Sequence, residues 1–460
     1  MIPIRALPLF PPIAARLALR RPVAWRRAAA ILLTSLALLG GQSAAETPPP
    51  AAQAPAPPAA QVPAPQAAAG VSAIAARIDR RGATTRLIFE LTGPTTASAF
   101  AATGPRIVVE LPEVAFLMDA SVGAAAPAQP VRLRGATAEA EDSLIRSFRF
   151  GRFAPGRSRI VIDLTRPAKA ARVESVQRPE GARLEIDLVA ENPWAFAAAV
   201  AQRVKAEALE AGPAAAARAP ADGEKDQLPL VVLDPGHGGV DMGAQSRHGH
   251  LEKMIVFDFA QALKAKIEAR GKQRVALTRE EDVFIPLNDR VRFARERGAA
   301  LFLSIHADTL GAGGVRGATI YTVAARASDA ESARIAEKEN LADQAAGVEE
   351  VSKPEEVDDI LFDLARRETR ALGREFAQTL LVKWRERASL NKNPTRSAGF
   401  VVLKAHDVPS ALLELGYLSS DEDLANLTSP AWRERAADGV AEAIDAYFKA
   451  HPPPSRASSQ

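Results

Sequence analysis

Residues 230–239, Leu-Val-Val-Leu-Asp-Pro-Gly-His-Gly-Gly, form a short apolar run that breaks into a glycine-rich turn holding one histidine, His237. A second apolar run, 301–305, is followed directly by His306. Short runs without polar alternation, bounded by turn residues, are predicted to be buried strands, and strands buried on both faces need helices to cover them. This region is thereby confined to an α/β arrangement. Ligand sites in open α/β sheets form at strand ends, where both imidazoles stand. Gly236, Gly238 and Gly239 let the backbone turn tightly and come close to a ligand. A phosphate cradle would need a Gly-Lys-Ser/Thr ending or the glycine spacing of a nucleotide fingerprint, and the segment has neither.

Further apolar runs at 274–278, 317–323, 399–403 and 410–415 complete a set of six predicted strands. Helical segments lie between them. In the first, Ile255, Phe259, Leu263 and Ile267 recur every four residues and so share one face. The expectation for 230–450 is a central, mostly parallel or mixed sheet flanked by helices.

At 460 residues the chain exceeds one ordinary core, so two or more domains are expected. It contains no cysteine, which excludes disulfides, thiolate metal sites and cysteine nucleophiles. Any metal must rest on imidazole and carboxylate. The net charge of +3 misleads, because residues 1–45 carry six arginines and no acid, and removing them leaves −3. That balance offers no electrostatic footprint for nucleic acid.

Residues 1–45 have a signal peptide's layout: Arg26-Arg27, an apolar run at 28–39, then Ser43-Ala44-Ala45 before Glu46. The run is too short to span a bilayer, so no transmembrane anchor is expected in the mature chain. The arginine pair suits either the Sec or the twin-arginine route. Residues 46–70 hold eight prolines and read as an extended tether. Over 71–192 the strand Thr85-Arg86-Leu87-Ile88-Phe89-Glu90-Leu91 recurs as Ser158-Arg159-Ile160-Val161-Ile162-Asp163-Leu164. Likewise Arg106-Ile107-Val108-Val109-Glu110-Leu111 recurs as Arg183-Leu184-Glu185-Ile186-Asp187-Leu188. Both pairs alternate apolar and polar residues, which predicts a small all-β sandwich. Residues 193–229 read as a second linker whose first part suits a short helix, and 451–460 as a disordered tail.

Three acids and histidines are ambiguous by themselves. Glu252, fifteen residues after His237, opens the amphipathic helix, where an acid commonly favours the macrodipole. A strand-end histidine such as His306 is often structural. Glu414 lies in the apolar strand Ala411-Leu412-Leu413-Glu414-Leu415, where a carboxylate is costly unless paired or functional. The set as a whole resembles the zinc-dependent N-acetylmuramoyl-L-alanine amidases, which cut peptidoglycan. The resemblance spans about 220 residues and includes Ser304-Ile305-His306-Ala307-Asp308, where Asp308 departs mildly from the usual asparagine. It implies Zn2+ held by His237, Glu252 and His306, with one position left for water, and Glu414 as general base. Thr278, Arg279, Asp282, Leu287 and Arg290 match positions that shape the site from behind. His248, His250, His406 and His451 compete as ligands, but they sit in polar loops or the tail.

The resemblance further implies a periplasmic enzyme that cleaves the amide between N-acetylmuramoyl and L-alanine in daughter-cell separation. Residues 71–192 resemble the AMIN domain, which in that family binds the wall. The stretch 327–370 is too long for a simple connection in a compact domain. Its first half is rich in helix formers and acids, and some division-associated amidases cover their zinc with a helix here until a LytM-type activator removes it. Glu337, Glu339 and Asp343 are the acids placed to fill the open metal position. Two rivals remain at this point. A carboxypeptidase-like zinc hydrolase would need a cation for a terminal carboxylate, and none is identifiable. A non-catalytic wall-binding protein would not require Glu414 and all three ligand positions.

Overall fold

Apolar–polar alternation builds the N-terminal half. In the computed structural model, which describes residues 70–124, 143–210, 228–310, 315–348 and 360–452, this half contains nine strands among the described residues. The predicted leader, the tether up to residue 69 and the tail from 453 lie outside them. The first copy of the repeat supplies β1 (Ser72–Arg81), β2 (Thr84–Leu91), β3 (Ser98–Ala102), β4 (Arg106–Pro112) and the short β5 (Ala115–Phe116). The second supplies β6 (Ile145–Ala154), β7 (Arg157–Leu164), β8 (Ala168–Arg178) and β9 (Gly181–Ala190).

The copies interlock rather than stand side by side. Sheet one runs β5-β1-β2-β9-β8 and sheet two runs β3-β4-β7-β6, so each sheet takes strands from both copies. Leu87, Phe89, Ile160, Ile162, Leu184 and Ile186 fill the space between them, each fully buried. Helix α1 (Pro193–Glu210) follows at once and drops Phe196 into the same core. The linker expected from 193 therefore begins as an 18-residue helix, anchored because Phe196 finds apolar partners.

The C-terminal half is a mixed sheet between helices, as expected. In chain order it comprises β10 (Leu230–Pro235), α2 (Glu252–Arg270), β11 (Arg274–Leu277), α3 (Leu287–Glu296), β12 (Leu301–His306) and β13 (Ala318–Val323). Helices α4 (Ala330–Asn340), α5 (Ala342–Ala345) and α6 (Ile360–Arg385) come next. Strand β14 (Leu390–Ala398), β15 (Ser410–Glu414), α7 (Asp421–Leu427) and α8 (Pro430–Ala450) complete it. The order β11-β10-β12-β15-β13-β14 is parallel except where β13 meets β15. Ile255, Phe259, Leu263 and Ile267 of α2 pack on one face with Phe376, Trp384 and Ile444 from α6 and α8. Ala294 of α3 and Ile335 of α4 pack on the other.

One predicted strand is absent. Residues 401–403 form a 3-10 turn, and the sixth strand is instead the polar β14. As an edge strand β14 pairs only with β13, so it needs no apolar run. Its Pro394 falls where the register slips between Leu390 and Thr395, a place where a missing N–H costs no ladder bond. Helix α6 begins at Ile360, inside the long stretch 327–370.

Candidate metal centre

The turn after β10 is held from behind by buried charge. Asp234 is fully buried and accepts from Arg290 at 2.8 Å, Thr278 at 2.6 Å and Ser304 at 2.8 Å. Burial opposes its ionisation, but Arg290 and the two hydroxyls outweigh burial and hold its carboxyl below the ordinary range. Arg290 also donates to the carbonyls of Pro235 and His237, at 3.1 and 2.8 Å. Arg279 donates to the carbonyls of Pro235 and Gly236 at 2.9 and 3.1 Å, and Asp282 accepts from Gly239 N at 2.7 Å. Arg279, Asp282 and Arg290 thus pin the backbone on either side of His237, and Thr278 acts on it through Asp234.

His237 has φ 60°, a left-handed conformation unusual for a residue with a side chain. It turns the imidazole inward, and Nδ1 lies 2.9 Å from Asp241 Oδ2. A carboxylate on Nδ1 fixes the proton there and leaves Nε2 to face the centre of the site. Asp241 was not anticipated from the sequence; its spacing of four from a turn histidine was the available signal. Gly236 and Gly243 make room: a Cβ on Gly236 would lie 2.5 Å from the His306 ring, and one on Gly243 2.7 Å from both Glu252 and His237.

Glu252 enters from the first turn of α2, fully buried, its Oε1 and Oε2 accepting from Ala307 N and Ala244 N, each at 2.8 Å. His306 ends β12. His237, Glu252 and His306 lie with one ligand atom each within 4.8 Å of one another. His237 Nε2 and His306 Nδ1 are buried and make no hydrogen bond. They stand 3.2 and 3.3 Å from the Glu252 carboxylate.

A second carboxylate approaches the same imidazole atoms. Glu339 of α4 places Oε2 3.5 Å from His237 Nε2 and 3.3 Å from His306 Nδ1. Four donors at zinc's bond length of about 2.0–2.1 Å form a tetrahedron with edges of roughly 3.3 Å, and the four separations between these carboxylates and the two imidazoles have that size. Burial raises the Glu339 carboxyl above its usual range, with Glu252 repelling it and the two imidazoles and Lys338 opposing the rise. Of the three acids considered, Glu337 is exposed, and Asp343 accepts from Leu287 N at 2.9 Å at the start of α3. His248, His250, His406 and His451 stand outside the cluster.

Glu414 lies beside the donors because β15 pairs with β12 in the register His306–Glu414. Its Oε2 accepts from Asp308 N at 3.1 Å, while Oε1 is buried without a partner. Burial, reinforced by the like charges of Glu252, Asp308 and Glu339, pushes its carboxyl well above the ordinary range. Asp308 is in turn paired with Lys338 of α4.

Two imidazoles at the strand ends of an α/β sheet and a buried carboxylate from the first turn of α2 form a donor set that could hold a metal ion, the kind found in mononuclear metallohydrolases. The chain matches the N-acetylmuramoyl-L-alanine amidase family over residues 231–446 and the AMIN domain over 75–188. It is 30% identical over 387 residues to the N-acetylmuramoyl-L-alanine amidase AmiC of Escherichia coli O6:H1, an alignment covering 82% of this chain and 89% of that protein. It is 34% identical over 322 residues to AmiC of Neisseria meningitidis serogroup B, covering 67% and 76%. A similar solved structure is the catalytic domain of CwlV from Bacillus (Paenibacillus) polymyxa var. colistinus, at 24% identity, 48% and 99% coverage and a TM-score of 0.34. The chain belongs to the N-acetylmuramoyl-L-alanine amidases, hydrolases of peptidoglycan, and carries an AMIN domain ahead of its catalytic domain.

Proposed function

We propose that this amidase is zinc-dependent, acts in the periplasm after export by its leader, and is self-inhibited. His237, Glu252 and His306 hold the metal, and Glu339 occupies the position that water or substrate needs. The observation that carries this reading is the pair of buried carboxylates whose separations from two buried imidazoles match the edge length of a zinc tetrahedron. Zinc held there supplies Lewis acidity that polarises the amide carbonyl and renders water acidic enough to react near neutral pH.

The protein's own residues do the rest. Asp241 keeps the His237 proton on Nδ1. Glu414, whose carboxyl burial raises well above its ordinary range, takes the proton from the attacking water and returns it to the departing L-alanine nitrogen. The AMIN domain retains the enzyme on peptidoglycan. Withdrawal of α4, by a LytM-type activator, frees the site in cell separation; Lys338 and Glu339 leave Asp308 and the imidazoles together.

Zinc-loaded full-length protein and its Glu339→Ala variant, incubated with purified sacculi, test this reading. The expected products are stem peptides with new L-alanine N-termini, released at least tenfold faster by the variant. Cuts elsewhere in the wall, or full activity in a metal-free preparation, would overturn it.

A further inference from the structure

The AMIN domain's two interlocked copies provide an internal comparison. In sheet one, Arg86 of the first copy donates from Nη1 to Glu185 of the second at 2.7 Å, and from Nε to Asp187 at 2.5 Å, so two carboxylates satisfy the guanidinium on the outer face of that sheet. The equivalent positions in the other sheet are Arg159, Val108 and Glu110. Arg159 Nη2 still donates to Glu110 at 2.5 Å, but the second carboxylate has become Val108. Arg159 Nη1 donates instead to the backbone carbonyls of Ala346 and Gly347, at 2.8 and 3.1 Å. Those carbonyls end α5, the helix that continues directly from α4 and its Glu339.

The sheet face around Arg159 fits this contact and no solvent-facing role. Val108 and Val161 point outward from sheet two, yet are fully buried, closing over Ala346 with Val240 and Phe284. Arg159 is itself buried, with its guanidinium 3.4 Å above the Phe153 ring, and Phe153 stacks on Phe284 at 5.8 Å. Gly347, at φ 72°, approaches so closely that a Cβ there would lie 2.5 Å from a Val108 methyl. The same hairpin touches the turn that carries His237: Val240 N donates to Arg152 O at 3.3 Å.

We infer that this face of the AMIN domain is a docking surface for the chain's own regulatory segment, holding the end of α5 so that Glu339 stays on the metal donors. The inference rests on the self-inhibited reading above and adds the element that does the holding. Its consequence is that opening of the site requires the AMIN domain to release Ala346 and Gly347. Wall capture and activation are thereby coupled in one molecule.

The test uses the full chain with Val108→Glu, which restores the carboxylate that the second copy carries as Glu185 beside Arg86, so the sandwich has a precedent for it. Amide hydrogen exchange over 331–348 and hydrolysis of sacculi are followed for the wild type, Val108→Glu and Glu339→Ala. At least tenfold faster exchange over 331–348 in Val108→Glu, with hydrolysis rising in parallel, is expected. If Glu339→Ala is activated while Val108→Glu exchanges like the wild type, docking is overturned and the self-inhibited reading survives. If Glu339→Ala gains no activity, self-inhibition falls, and the exchange rate of Val108→Glu alone decides whether the surface holds the segment. A second variant guards against misfolding. Val108→Cys with Gly347→Cys joins positions whose β-carbons would be 3.6 Å apart, within disulfide reach, in a chain with no other cysteine. Oxidised, it should exchange more slowly over 331–348 than the wild type and recover on reduction; an oxidised, cross-linked form exchanging as fast as the wild type would refute the docking.

Discussion

Arg290 Nη1 lies 2.8 Å from Asp234 Oδ1, both side chains almost wholly removed from water, and the same guanidinium holds the carbonyl of His237. Removing one partner of such a pair strands the other charge, which costs about 3–5 kcal/mol. Asp234→Ala is therefore expected to lower unfolding stability by that order, and to loosen the His237 turn. Urea denaturation of the metal-free protein measures it. A loss below about 1 kcal/mol, the scale of an exposed pair, would contradict the assignment.

The same residue sets an acid limit. The folded-state carboxyl of Asp234 is depressed, first against burial by Arg290 and then by Thr278 and Ser304. A depressed carboxyl contributes stability that is fully present above its unfolded value of about 3.9 and is lost as pH falls through the folded one. The stability gap between wild type and Asp234→Asn should be constant from pH 7 to pH 5 and shrink below about pH 4. A gap that stays constant down to pH 2 would show that Asp234 is not the titrating group.

His237→Ala, Glu252→Ala and His306→Ala should each abolish or greatly weaken zinc binding with the fold kept. Asp241→Asn, which weakens only the hold on Nδ1, should cost about 10–100-fold in metal affinity. Competition with a chelating dye reads all four. Wild-type affinity in Asp241→Asn would leave that residue a purely structural role.

Glu414 is buried beside the donors but is proposed as base. Glu414→Gln should retain one zinc per chain while turnover, measured in the Glu339→Ala background, falls by about 100-fold or more. Metal lost together with activity would make Glu414 a ligand instead.

Local features placed the candidate residues in the sequence, and the family resemblance alone turned Glu252 and His306 into donors. Apolar runs ending in His237 and His306 mark strand ends, the period-four face of α2 places Glu252 at its first turn, and a carboxylate among leucines at 414 stands out by its cost of burial. The interlocking of the two β repeats was not legible, since alternation says which face a residue takes but not which strand it pairs with. Strand β14 was missed because an edge strand needs no apolar run. The choice of Glu339 over Asp343 needed the structure too. Four residues apart, both lie on the buried face of one helical segment, and only the path of the chain from β13 decides that one reaches two imidazoles while the other caps α3. Val108 shows the same division: its apolar character is plain in the sequence, but a valine on an outward face acquires meaning only from the segment that folding brings against it.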